Sequence, residues 1–272
     1  MQAESTYCPD WRDAAAYAPL LDADRSLFAW EWLRRDAAYG AAASASGSAV
    51  APAAADPAWF GLAAFESPQL AVPNARPMWT ADVLPSVLRV AAKRVGPSDQ
   101  EAVDLCDFGD LARLVVAGDL EHLLLSDGLR VVRLDGPAGA FTGGRVRLHY
   151  EIEGLASAEP PLLTLRRFLA LCRSGRFARS LHPREAPSRR WILLLRAWDA
   201  LAAGADQRQI AEVLLGWTLS RPGWRSREPS VRSRAQRLVR SARLFARGGY
   251  RVLLAGRAPA ARRHLASTTD SA

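Results

Sequence analysis

Arginine, glutamine and serine recur at helical spacing near the end of this 272-residue chain: Ser230, Arg232, Ser233, Gln236, Arg237, Arg240, Arg243 and Arg247. Arg and Gln form paired hydrogen bonds with the major-groove edges of guanine and adenine, and guanidinium groups also hold phosphate oxygens. Residues early in a recognition helix normally reach bases, and later ones meet the backbone. Ser230, Arg232, Ser233, Gln236 and Arg237 are therefore candidates for base reading. Arg240, Arg243 and Arg247 are better placed for phosphates. Arg225 and Arg227 belong to the connection at 217–228, which could touch phosphates as an extended turn or wing. The alternative is a surface loop with Trp217 and Trp224 folded onto the core. Residues 221–251 hold ten Arg and one acid, Glu228. Like charges at i,i+4 repel by roughly a few tenths of a kcal/mol each, a cost that phosphates would offset.

Other chemistries find less support. The glycine-rich stretch 136–144 lacks the Lys-Ser/Thr of a phosphate loop and opens no helix, so it reads as a strand connection. His122, His149, His182 and His264 have no metal-ligand partner at helical or strand spacing. His149 and Glu151 share one side of a strand, which fits a polar pair better than a catalytic dyad. Asp104, Asp107, Asp110 and Glu121 show no paired arrangement for acid–base work. Cys8, Cys106 and Cys172 form neither a disulfide framework nor a CxxC zinc site, and Cys106 and Cys172 lie in apolar runs as core thiols. A recombinase or nuclease would need a carboxylate cluster or a nucleophile near the basic surface, where the one tyrosine, Tyr250, suits the core. No enzyme activity, metal or cofactor is expected.

The basic residues need a scaffold, and residues 204–251 read as a helix-turn-helix. Asp206 and Gln209 match a capping box, the first helix continues from Ile210 to Leu215, and Gly216 stops it. Ala211 is small enough for a second helix to cross close by. That helix should start near Pro229 or Ser230 and end at Gly248-Gly249. Val231, Ala235, Leu238, Ala242 and Phe245 form its packed stripe. The dozen residues between the helices exceed the three or four of a compact motif.

Upstream, residues 190–203 and 162–172 read as helices. Residues 121–134 read as a hairpin around Asp127-Gly128, and 145–152 as a third strand of a small antiparallel meander. Residues 83–95 have helical spacing after Asp82, and 105–117 a strand or short helix. Residues 24–35 form a short aromatic helix capped by Asp24, with Trp30 and Trp32 on either a partner surface or the core. The fold class is α+β: a meander in the middle and a mainly α-helical C-terminal domain. The expected organisation is a helical module at 1–40, a flexible linker at 41–56, a mixed α/β region at 57–155, the helix-turn-helix domain at 156–258 and a disordered tail at 259–272.

Charge segregates along the chain. Residues 1–183 carry 18 basic and 22 acidic residues, net −4, and residues 184–272 carry 18 and 6, net +12. Compositional drift does not sort acids from bases, so a basic end on an acidic body points to a polyanion partner. No apolar run reaches about 18 residues, which argues against a membrane span. Residues 1–12 lack the apolar core of a leader, so a cytoplasmic, nucleoid-associated protein is expected.

The stretches 194–211, 231–240 and 248–251 resemble a proteobacterial helix-turn-helix variant domain, and residues 24–35 resemble the small module often fused ahead of it. The pair is similar to the FseA-type excision activators of rhizobial integrative and conjugative elements, and the C-terminal part to RovC-type activators of type VI secretion genes. The resemblance implies a transcriptional activator that binds promoter double-stranded DNA and recruits RNA polymerase. In the conjugative-element case it also implies control by an antiactivator built from the same domain. An antiactivator that binds a homologous activator is the alternative reading, although a protein-only version need not keep ten arginines. Helix-turn-helix proteins often pair on half-sites, so a homo-oligomer is admissible, but no heptad marks a dimer helix.

Overall fold

The computed structural model describes residues 8–46, 56–217 and 229–255. After a 3-10 turn at Ala15–Asp22 come α1 (Arg25–Leu33) and α2 (Ala37–Ala45). The sheet strands follow: β1 (Leu88–Arg94), β2 (Ala112–Ala117), β3 (Leu120–Ser126), β4 (Val131–Pro137) and β5 (Val146–Glu151). The C-terminal part is helical: α3 (Glu159–Ser174), α4 (Ser188–Ala202), α5 (Gln207–Leu215) and α6 (Pro229–Ala246), closed by a 3-10 turn at Gly249–Leu253. This is the α+β class read from the sequence.

An antiparallel meander is present, but its third strand is β2 rather than the expected 145–152; Leu123 lies opposite Leu134 across the β3–β4 hairpin, and the whole is a mixed sheet ordered β2-β3-β4-β1-β5. β1 runs parallel to β4 and antiparallel to β5, so β5 pairs with β1 rather than extending the meander. This corrects the helical reading of 83–95. Its apolar residues also satisfy alternation, with Leu88 and Val90 buried and Arg89 exposed. A short apolar run fits both periods, and here strand neighbours on both sides decide it.

Strand alternation sends side chains to two cores. Leu123 and Leu125 meet Phe168 and Leu171 of α3 in one of them. Leu124 lies in the other, with Trp79, α1 and the helices α4–α6. Trp30 and Trp32 are buried there, so the aromatic helix faces inward.

α2 overturns the reading of a linker that begins at residue 41. Asp36 accepts from the N–H groups of Ala38 and Tyr39 and caps the helix. Alanine then favours continuation. Tyr39 is buried against Phe60 and Phe65, and its hydroxyl donates to Glu66 O at 2.7 Å. Residues 41–45 of the expected linker thus belong to α2; residues 47–55 lie outside the described residues. Cys106 and Cys172 are exposed, not core thiols, because each is on the solvent side of its element while Phe108 and Leu171 turn inward. The 136–144 connection is held by Glu121, whose carboxylate accepts from the N–H groups of Gly139, Phe141 and Thr142.

Candidate nucleic-acid interface

The basic surface stands on α4, α5 and α6, which pack on one another. The capping box of α5 is formed in both directions: Gln209 N–H donates to Asp206 Oδ1 at 2.8 Å, and Asp206 N–H to Gln209 Oε1 at 2.9 Å. Gly216 ends the helix at φ 66°, the left-handed conformation that glycine adopts without Cβ strain. Ile210 and Ala211 are fully buried, and the small Ala211 side chain leaves room for α6 at the contact.

Ala235, Leu238 and Ala242 of α6 are buried, while Val231 and Phe245 are half-buried. Val239 joins the stripe and widens it, which the 4-3-4-3 spacing missed. The buried side carries α6 onto the N-terminal module. Phe245 meets Trp32 of α1 with ring centroids 5.4 Å apart, and Phe28 meets Trp191 of α4 at 5.0 Å.

An ionic cluster locks the same junction. Arg35, just beyond α1, binds Asp199 of α4 through Nε at 2.7 Å and Nη2 at 2.9 Å. Tyr17 Oη donates to the same carboxylate at 2.6 Å, and Glu31 takes Arg34 at 2.8 Å and Arg35 at 2.5 Å. Burial alone would raise the Glu31 carboxyl, but the adjacent Arg35 and Arg34 guanidinium groups hold it below the usual carboxylate range. Burial and then the neighbouring Asp199 push the Tyr17 phenol up. Charges this deep persist only when paired and hydrogen-bonded. The cluster ties α1 to the helix against which α6 packs.

The outward side of α6 is mainly cationic, interrupted by the exposed Leu244. Ser230, Arg232, Gln236, Arg237, Arg240, Arg243 and Arg247 are exposed, and Ser233 is half-exposed. Arg234, absent from the sequence-based set, is exposed too. Among the described residues no carboxylate forms an ion pair with any arginine of α6. Arg237 Nη1 donates to Ser233 Oγ at 2.8 Å, one turn back, which braces the guanidinium. The candidates do not form one flat surface. Arg232, Gln236, Arg240, Arg243 and Arg247 follow one row along the helix at steps of four, four, three and four. Ser233 and Arg237 lie on the adjacent row.

A groove of about 550 Å³ runs along the first row, lined by Gln236, Arg240, Arg243 and Arg247 of α6 and by Gln207 at the start of α5. Gln207, the first residue of α5, was not among the sequence-based candidates. Groove membership follows from the crossing of two helices, not from local spacing. Arg225 and Arg227 lie outside the described residues, as does the question of whether 218–228 forms a wing. Among the described residues no helix is long and apolar enough to cross a membrane, and no group of His, Cys, Asp or Glu is placed to hold a metal ion.

Comparison with protein families matches two segments. Residues 159–255 match a model described as a type VI secretion transcription factor DNA-binding domain, and residues 10–64 one described as a proteobacterial transcriptional regulator-like domain. The first match runs from α3 past α6, and the second spans α1, α2 and the stretch expected to be a linker. Searches of curated proteins and of solved structures give no match. The matched segments are those of a DNA-binding transcriptional regulator.

Proposed function

On the premise that the chain is built as such a regulator, we propose that α6 enters the major groove of promoter DNA as the second helix of a helix-turn-helix. The observation that carries this reading is the exposed cationic side of α6, unpaired with carboxylates among the described residues and backed by a buried apolar stripe. The first two turns, with Ser230, Arg232, Ser233, Gln236 and Arg237, read bases. Arg240, Arg243 and Arg247 hold phosphates, and Arg225 and Arg227 add contacts from the connection ahead of α6. Positive regulation, with recruitment of RNA polymerase and target genes for excision and conjugative transfer of a mobile element, is supported by the resemblance of residues 24–35 and 194–251 to activators of that kind. The same resemblance supports control by an antiactivator. Pairing of two copies on half-sites would follow the usual geometry of such motifs.

Sequencing of the DNA fragments that the full chain retains would supply a binding site. Anisotropy titrations then compare that duplex with a scrambled one. Gln236→Ala is expected to lower discrimination between the two by about 1–3 kcal/mol while leaving scrambled-duplex affinity nearly unchanged. Equal losses on both duplexes would remove the base-reading role.

A further inference from the structure

A cleft of about 890 Å³ opens where the N-terminal module, the sheet region and the C-terminal helices meet. Asp24, Leu84, Pro85, Leu163, Arg167 and Leu254 are among the residues that line it. The walls are apolar at four of these positions, and Leu163 remains 36% exposed. Such a volume at a junction between parts of a chain is in the range of small-ligand sites.

Arg167 supplies a cation to this apolar space. Its side chain is 15% exposed, and the nearest carboxylate oxygen, on Asp24, stands 3.8 Å from Nη1. Nε donates to Leu181 O at 2.9 Å. The Asp24 distance is too long for a hydrogen bond, so among the described residues the two terminal nitrogens donate to nothing. Burial disfavours the charged guanidinium and lowers its pKa, with only partial compensation from Asp24 and Glu185. Two other arginines around the cleft are matched: Arg25 holds both oxygens of Glu185 at 2.9 and 2.8 Å, and Arg184 donates to Asp22 at 2.9 Å. Arg166 and Glu159 also line the cleft but are exposed at its edge, whereas the Arg167 side chain is mostly buried. A half-buried guanidinium with free donors among apolar walls suits a ligand that joins an acidic group to an apolar body.

We propose that this cleft binds a small amphipathic organic anion, with its acidic group on Arg167 and its body against Leu84, Leu163 and Leu254, and that occupancy changes DNA affinity. The coupling follows from the walls. Asp24 caps α1, which packs on α4 and α6, and Leu254 ends the segment that follows α6 and packs on both α1 and α6. A ligand that bridges these elements acts on the support of the recognition helix, so it distinguishes states of that helix. The coupling rests on the proposed DNA reading, whereas the binding site does not.

The test titrates the full chain with anilinonaphthalene sulfonate, followed by fluorescence, with decanoate and decanol as competitors. The expected result is saturable binding at one site, displaced by decanoate and not by decanol. Arg167→Met should weaken it about tenfold or more, and Arg173→Ala, further along α3, should leave it unchanged. Leu163→Trp fills the cleft but keeps the charge, so it must also weaken binding, and it serves if Arg167→Met does not fold. Lack of saturable binding, undiminished binding in a folded Arg167→Met or Leu163→Trp variant, or equal displacement by decanol would overturn the site. A saturating probe should shift the DNA dissociation constant by about fivefold or more, and an unchanged constant would overturn the coupling. Intact probe binding in a chain that binds no DNA would tell against the DNA reading alone.

Discussion

Arg243 projects from the exposed row of α6 and has no carboxylate partner among the described residues, so its charge is available to a phosphate. Arg240, Arg243 and Arg247 are the three guanidinium groups of α6 assigned to the DNA backbone. Each neutralised phosphate releases condensed counterions, which gives a slope of about −0.9 in log affinity against log salt. Three contacts therefore give a slope of about −2.7 and a loss of roughly 40-fold in affinity between about 50 and 200 mM salt. Arg243→Ala is expected to bring the slope to about −1.8 and the loss to roughly 12-fold over that interval. Because this exposed side chain supports nothing inside the fold, stability should change by no more than about 0.5 kcal/mol. Anisotropy titrations of a labelled duplex across a salt series measure both slopes, and thermal melting checks the fold. Contacts from residues outside the described set would steepen both lines equally and leave the difference of about 0.9 intact. An Arg243→Ala slope equal to that of the parent chain, or a parent slope near zero, would refute the reasoning.

Two further predictions concern the body of the protein. Asp199→Ala removes the nearer acceptor of Tyr17, which otherwise has only Pro9 O at 3.3 Å among the described residues, and one of the two carboxylates that hold Arg35. Breaking a buried pair from one side costs about 3–5 kcal/mol, so urea unfolding should show a loss of that size; a loss below about 1 kcal/mol would mean that the cluster is not a lock. His182 is held neutral by burial, then by Arg167 and Arg130, which lower its pKa from 6.5 to about 3. Between those values the unfolded chain binds a proton at this site that the folded chain does not, so stability falls as pH drops through the window. Melting temperatures of His182→Asn should decline less steeply than the parent's from about pH 6.5 to about pH 4; parallel declines would exclude His182 as a cause.

Local signals made much of the C-terminal part readable from the chain alone. The capping box of α5, the stop at Gly216, the stripe of α6 and the cationic side opposite depend on residues within a turn or two of each other, where spacing and conformation are tightly linked. The hairpin at Asp127-Gly128 was legible for the same reason. Long-range packing settled the remainder. Leu88–Arg94 became a strand because β4 and β5 flank it, and Ala37–Ala45 became a helix secured by Tyr39 in a core that the flanking sequence does not announce. The Arg35–Asp199 pair joins residues 164 positions apart, and the cleft lies between elements distant in the chain. No periodicity encodes such contacts, since they arise when separate apolar faces must share one interior and the charges trapped beside them must find partners.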